Sequence, residues 1–250
     1  MPLKNVVLPK RITTELAYLA GFISGDGHLC YRKSKSEYAV FCSGNLKDEK
    51  EFYERIIIPL FKKIFNIEMK VKIQKSNNTY NLVFYSKILL EYFSKKLFIP
   101  VGAKSGKIRI PEIFKKSRKL TKQFICGFAD ADFSLILKKR YKIIHYYPVI
   151  YGASKSEQII EDISSFLSSY GFSFYKKINK KIYDKRYGYN RISTIAVYGH
   201  DNLVKWMKTI GFRNTKILKV FDLWKKRNKD NKRAKNALQT LKEVAGVGIS

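Results

Sequence analysis

Two aspartates, Asp26 and Asp132, occupy the same place in two similar stretches of this sequence. In TTELAYLAGFISGDG (residues 13–27) and TKQFICGFADADFS (residues 121–134), Leu19, Ala20, Gly21, Phe22 and Asp26 fall in order on Ile125, Cys126, Gly127, Phe128 and Asp132. Both runs have helical character, and in both the pattern changes just after the aspartate. A helix C-terminus carries partial negative charge, so a carboxylate there is disfavoured by about 0.3–1 kcal/mol. Two such ends side by side would combine two carboxylates with several unpaired carbonyl oxygens. That is a donor set for a hard divalent cation, and metal-activated water is the chemistry it would serve.

The residues before each aspartate indicate how the two ends are brought together. Large apolar side chains (Leu16, Leu19, Phe22 and Ile23; Phe124, Ile125 and Phe128) alternate with small ones (Ala20, Gly21 and Ser24; Cys126, Gly127 and Ala131). Glycine inside a helix costs about 1 kcal/mol against alanine, and close backbone approach is the reason to accept that cost. The two helices are expected to pack on each other and to deliver one carboxylate each to a shared end. Asp130 lies two residues before Asp132, roughly 200° round the helix, so it is expected to face elsewhere.

LAGFISGDG and ICGFADADF resemble the paired motifs of the LAGLIDADG homing endonucleases, in the single-chain form that carries both repeats. The resemblance implies an α+β fold of two pseudo-symmetric αββαββα units, with antiparallel sheets forming a DNA-binding saddle around the two packed motif helices. It implies an endonuclease that makes a double-strand break at a long asymmetric DNA site. Asp26 and Asp132 would bind Mg²⁺ (or Mn²⁺ or Ca²⁺) together with the carbonyls of Gly25 and Ala131. The family's basic residue beyond the last hairpin of each half falls on Lys104 in the first, and on Arg213 or Lys216 in the second. Two departures are visible: Ser24 stands where the second motif has Asp130, and Phe133 stands where glycine is usual. Two rival readings are an RNA maturase that assists splicing of a host intron, and a catalytically silent DNA-binding protein of the same fold. Two intact acids favour the nuclease.

Composition bounds the partner. Fifty Lys and Arg against twenty Asp and Glu give a formal charge of +30 over 250 residues, a field suited to a polyanion. No apolar run approaches the roughly 20 residues of a spanning helix, so no membrane partner is expected. The start MPLKNVVLPKR does not read as a signal peptide, and an intracellular location (prokaryotic cytoplasm or nucleoid, or an organelle) is expected. Cys30, Cys42 and Cys126 show no C-x-x-C spacing, which fits a reducing interior, and nothing in the pattern favours zinc. Without an initial Cys or Ser or a closing His-Asn pair, the chain reads as a free-standing or intron-encoded endonuclease rather than a whole intein.

Element by element, helix–strand–strand–helix–strand–strand–helix occurs twice. The expected division is residues 1–98 for the first half, 99–119 for an ordered linker rich in Pro, Gly and basic residues, and 120–250 for the second half with extra basic C-terminal helices. Asn45 is expected to open an amphipathic helix that Pro59 kinks or breaks. Lys70, Lys72 and Gln74 share one face of a strand, with Val71 and Ile73 on the other. A two-stranded ribbon fits the major groove of B-DNA, so the DNA-contact candidates lie on the hairpins. They are Arg32, Lys33, Lys35, Lys70, Lys72, Gln74 and Asn81 in the first half, and Lys138, Arg140, Lys177, Arg186 and Arg191 in the second. With both half-sites in one chain, a monomer is expected.

Overall fold

The computed structural model describes residues 6–139, 145–184 and 188–228. Arg140, Arg186 and the basic stretch from residue 229 onward lie outside them. The chain is α+β, with two four-stranded antiparallel sheets ordered β1-β2-β4-β3 and β5-β6-β8-β7. Their strands are β1 (Gly27–Arg32), β2 (Glu37–Asn45), β3 (Lys70–Gln74), β4 (Thr79–Tyr85), β5 (Phe133–Lys139), β6 (His145–Ser154), β7 (Phe174–Asp184) and β8 (Gly188–Tyr198). Among the described residues no helix is long and apolar enough to cross a membrane.

The helices are α1 (Thr14–Asp26), α2 (Lys50–Phe52), α3 (Ile58–Phe65), α4 (Lys87–Glu91), α5 (Glu112–Lys115), α6 (Arg118–Asp132), α7 (Glu157–Ser169), α8 (His200–Thr209) and α9 (Thr215–Arg227). Two compact units result. One comprises the chain to Asp132 together with Arg213–Lys216, and the other Phe133–Phe212 and the chain from Ile217. These units are not the two sequence halves, because α6 packs on α1 and so belongs with the first sheet.

In the first unit, Thr13 caps α1 by accepting from the Leu16 amide at 3.1 Å, satisfying one of the orphan donors of the first turn. Everything from Leu16 to Ser24 is buried, so α1 is a core helix on all sides. At its other end the Gly27 amide bonds back to the Ile23 carbonyl and the chain turns directly into β1. β2 runs through Asn45, so the helix expected there begins later: the Asn45 side chain accepts from the amides of Lys47 and Asp48, both at 3.0 Å. An Asx turn of this kind competes with helix and delays its start to Lys50. α2 and α3 are joined through a π-helical turn, Tyr53–Ile57. Pro59 is the cause, since a proline ring clashes with the carbonyl four residues back, here Arg55, and a wider turn relieves that clash. The run therefore stays helical through Pro59 instead of breaking. β3 is an edge strand exposed on both faces, with Val71 at 44% and Ile73 at 48% exposure.

In the second unit, β5 places Phe133, Leu135 and Leu137 on the core side. Phe133 packs against Trp206, ring centroids 6.0 Å apart, opposite Gly152 in the register. A Cβ on Gly152 would overlap the Phe133 ring. In the first sheet the corresponding pair is Gly27 opposite Cys42. Large and small have exchanged strands, and that exchange makes room for the Phe133 ring.

Candidate metal and nucleic-acid site

The site lies wholly in the first unit and begins with the contact between α1 and α6. A Cβ on Gly21 would overlap the Phe124 carbonyl, and one on Gly127 would overlap the Tyr18 carbonyl. Each glycine thus sits on the carbonyl three residues before the other, which is the close approach the small residues suggested. Farther along, a Cβ on Gly25 would run into the Ala131 methyl and come within 3.2 Å of the Asp132 carboxylate. The second acid therefore lies over the end of the first helix.

Asp26 is partly buried and its Oδ2 accepts from the Tyr53 hydroxyl at 3.5 Å. Burial, then the charges of Asp132 and Glu49, pushes its carboxyl well above the usual carboxylate range. Burial also lifts Asp132, to about 6, against the pull of Lys104. The Asp132 side chain is open to solvent. The end of the helix pair thus concentrates negative charge that the protein only partly compensates.

Lys104, carried by the ordered segment after β4, supplies that compensation. Its ammonium donates to the Ser24 carbonyl at 3.0 Å, the Gly27 carbonyl at 2.6 Å, the Ile23 carbonyl at 3.4 Å and, most closely, the Gly25 carbonyl. The segment is fixed by the Gly102 amide, which donates to the Leu29 carbonyl at 2.7 Å. Burial lowers the Lys104 pKa, while Asp132 and Asp26 hold it up.

The other two basic candidates are engaged elsewhere. The Arg213 guanidinium stacks 4.0 Å from the Tyr18 ring centroid and donates to Gln123 Oε1 at 2.6 Å. Lys216 pairs with Glu49 at 3.9 Å. Asp130, 1% exposed, accepts from the Tyr18 hydroxyl at 2.6 Å and from the amides of Arg213 and Asn214 at 3.0 Å. Asp130 therefore latches residues 213–216 to the helix pair, and burial raises its carboxyl to about 6. Among the described residues no three His, Cys, Asp or Glu side chains cluster as metal ligands. A cation here would rest on two carboxylates and main-chain carbonyls.

Sequence reasoning missed Glu49. Its side chain accepts from the Asn45 amide at 2.8 Å and from Asn214 Nδ2 at 3.4 Å, and its charge reaches Asp26. No local pattern marks it, because the turn after β2 brings it to the helix end.

Strand register sorts the hairpin candidates. Lys72 lies opposite Asn81, which lies opposite Ser43, and Lys70 opposite Val83, opposite Phe41 and then His28. With the two-residue alternation of strands, Arg32, Lys70, Lys72, Gln74 and Asn81 occupy one face of the first sheet, away from buried Leu29, Val40 and Leu82. Ser43 donates to Asn81 Oδ1 at 2.6 Å on that face. Lys33 and Lys35 lie in the 3₁₀ turn between β1 and β2. In the second sheet Lys138 and Lys177 share the face opposite the core, Lys138 lying 5.7 Å from the Tyr198 ring centroid and Lys177 5.3 Å from that of Tyr175. Arg191 has the parity of Ser193 and Ile195 and donates to the Asn179 carbonyl at 3.4 Å, so it falls on the other side of β8. The exposed tyrosines Tyr85, Tyr151, Tyr175 and Tyr198 were also missed. An exposed aromatic at the parity of a lysine was the available signal.

No family model matches the sequence. A stretch of 129 residues is 33% identical to the glutamine–fructose-6-phosphate aminotransferase (isomerizing) of Methanocaldococcus jannaschii, over 51% of this chain and 11% of that protein. The chain thus spans about a tenth of that relative's length. Among solved structures, the homing endonuclease I-DmoI in complex with DNA and Mn superposes with a TM-score of 0.54 at 24% identity, over 79% of this chain and 96% of that one. Mesophilic variants of I-DmoI superpose with a TM-score of 0.53 at 23% identity, over 79% and 88%. The chain has the fold of the LAGLIDADG homing endonucleases.

Proposed function

We propose that the protein is a site-specific DNA endonuclease that hydrolyses one phosphodiester in each strand with a divalent metal, Mg²⁺ in the first instance. The observation that carries this is the pairing of Asp26 and Asp132 at one end of two helices in backbone contact. Two crowded carboxylates at helix C-termini are an electrostatic cost in isolation and an asset to a divalent cation. The fit is supported by the Lys104 ammonium, already drawn onto the α1 carbonyls beside both acids, and by the absence of a side chain at Gly25, which lets the Asp132 carboxylate lie against the end of α1.

Asp26, Asp132 and the carbonyls of Gly25 and Ala131 would hold the metal. A bound Mg²⁺ supplies an activated water and charge stabilisation at the phosphate oxygens. The chain's own residues do the rest. Gly21 and Gly127 set the helix spacing, Tyr53 donates to Asp26, Glu49 adds negative charge beside it, and Lys104 offers positive charge to the phosphate. Each sheet carries a basic open face suited to duplex DNA, with Asn81, Gln74, Arg32 and the lysines of Lys70–Gln74 as groove contacts in the first. I-DmoI was solved with DNA and Mn, which favours this reading over the RNA-splicing and silent-binding alternatives.

Incubating the protein with a randomised duplex library and Mg²⁺, then sequencing the cut ends, tests the proposal. One long asymmetric consensus with paired cuts is expected. Uncut DNA, or random nicking, would refute it. Sedimentation is expected to give a monomer.

A further inference from the structure

The contact between Lys104 and Gly25 bears on the metal as well as the phosphate. We propose that Lys104 is the resident cation of the acidic helix end when no metal is bound, and that a divalent ion must displace its ammonium from the Gly25 carbonyl to enter. This deepens, and rests on, the metal-dependent reading above.

Three observations carry it. The ammonium is bonded to the carbonyls of Ile23, Ser24, Gly25 and Gly27 at once, more acceptors than its three protons satisfy singly. The ammonium is half-buried and lies within electrostatic reach of the Asp132 and Asp26 carboxylates. The Gly25 carbonyl, its closest acceptor, is one of the oxygens proposed for the metal. An ammonium and a divalent ion on the same carbonyl, beside the same carboxylates, exclude one another by contact and by charge. Unit charges about 4 Å apart interact strongly even at an effective dielectric constant near 20. The Lys104 segment is anchored by its own backbone, through Gly102 to Leu29 and Lys107 to Lys104, so only the side chain has to move. Once displaced, the ammonium is left close to the metal but off the carbonyls, free to meet a phosphate oxygen.

The inference fixes opposite signs for binding and catalysis. Truncating Lys104 tightens metal binding to the DNA-free protein and, on the nuclease reading, slows cleavage. Had Lys104 merely helped to shape the site, its loss would weaken both.

The test is calorimetric titration of Ca²⁺ into the metal-free full chain, without DNA, for wild type, Lys104→Met and Lys107→Met. Lys107 is exposed on the same segment, so its variant controls for the loss of one positive charge. Lys104→Met is expected to bind Ca²⁺ at least about tenfold more tightly than wild type, and Lys107→Met within about twofold of wild type. Lys104→Gln, which keeps donors but no charge, serves if Lys104→Met does not fold, and is expected to tighten binding in the same direction. Equal or weaker Ca²⁺ binding by the Lys104 variants overturns the inference, as does equal tightening by Lys107→Met. If no protein binds Ca²⁺, the inference and the metal reading fall together. If binding tightens as expected but wild type cuts no DNA, the inference stands and the nuclease reading fails.

Discussion

Gly21 in α1 and Phe124 in α6 meet backbone to backbone: the Gly21 Cα lies so close to the Phe124 carbonyl that no side chain fits between them. Gly127 meets Tyr18 in the reciprocal way. The helix pair can only keep this spacing with glycine at both positions, and the spacing sets where Asp26 and Asp132 end.

Gly21→Ala and Gly127→Ala are each expected to destabilise the protein by about 3 kcal/mol or more, at or above the usual range for overpacking. The obstructing atoms are backbone and cannot rotate away. Gly106→Ala, at a positive-φ loop position with open space around it, is expected to cost only about 1 kcal/mol. Urea unfolding of the three variants measures this, and equal costs would remove the close-approach argument.

The raised carboxyls of Asp26, Asp132 and Asp130 give the pH dependence a definite sign. A carboxyl whose folded pKa exceeds its unfolded value contributes stability at low pH, and that contribution is lost as pH rises through the folded value. For Asp130 and Asp132 the loss runs from about pH 4 through about 6, and Asp26 is shifted in the same direction. Asp26→Asn removes one of the opposed charges, so the metal-free variant is expected to melt higher than wild type at pH 7.5, with the gap closing toward pH 4. Thermal melts in EDTA across that range test it. A variant that is less stable at pH 7.5 would contradict the burial account.

Much of this was legible in the sequence, for identifiable reasons. A glycine inside an apolar helical run must answer to something nearby, so Gly21 and Gly127 announced the helix contact. The twofold period of the strands announced the face shared by Lys70, Lys72 and Gln74. What stayed hidden was tertiary. Glu49 reaches Asp26 through a turn that Asn45 holds, and Asp130 latches onto amides more than 80 residues away. The family resemblance offers Arg213 or Lys216 as the basic residue of the second half, and the Arg213 guanidinium lies on Tyr18 while Lys216 pairs with Glu49. The π-helical turn at Tyr53–Ile57 follows from Pro59, but proline in a helix reads equally as a kink until the neighbouring carbonyls are seen.

Asp130→Ala leaves the Tyr18 hydroxyl and the amides of Arg213 and Asn214 without their acceptor in a buried place. A loss of about 3 kcal/mol or more is expected, given the usual 1–3 kcal/mol for each buried polar group left unpaired. Asp130→Asn keeps one oxygen for the amides, and the Tyr18 hydroxyl can reverse its role, so it is expected to cost far less. Chemical denaturation of both variants distinguishes the latch from a role in the reaction.

Phe133 and Gly152 form a size-matched pair across β5 and β6. Gly152→Ala is expected to cost about 1–3 kcal/mol by overpacking, and Phe133→Leu in the same chain is expected to recover part of that loss. A double-mutant cycle with no coupling between the two positions would show that the exchange of large and small residues is incidental.

The central claim, that Asp26 and Asp132 together hold the catalytic metal, is tested most directly by cleavage and gel-shift assays on one site-bearing duplex with Asp26→Asn, Asp132→Asn and Asp130→Asn. The first two are expected to cut both strands at least about a hundredfold more slowly, as the loss of a metal ligand demands, while binding the duplex as tightly as wild type. Asp130→Asn is expected to retain most of its cleavage. Normal cutting by Asp26→Asn and Asp132→Asn, or loss of cutting in Asp130→Asn alone, would contradict the account.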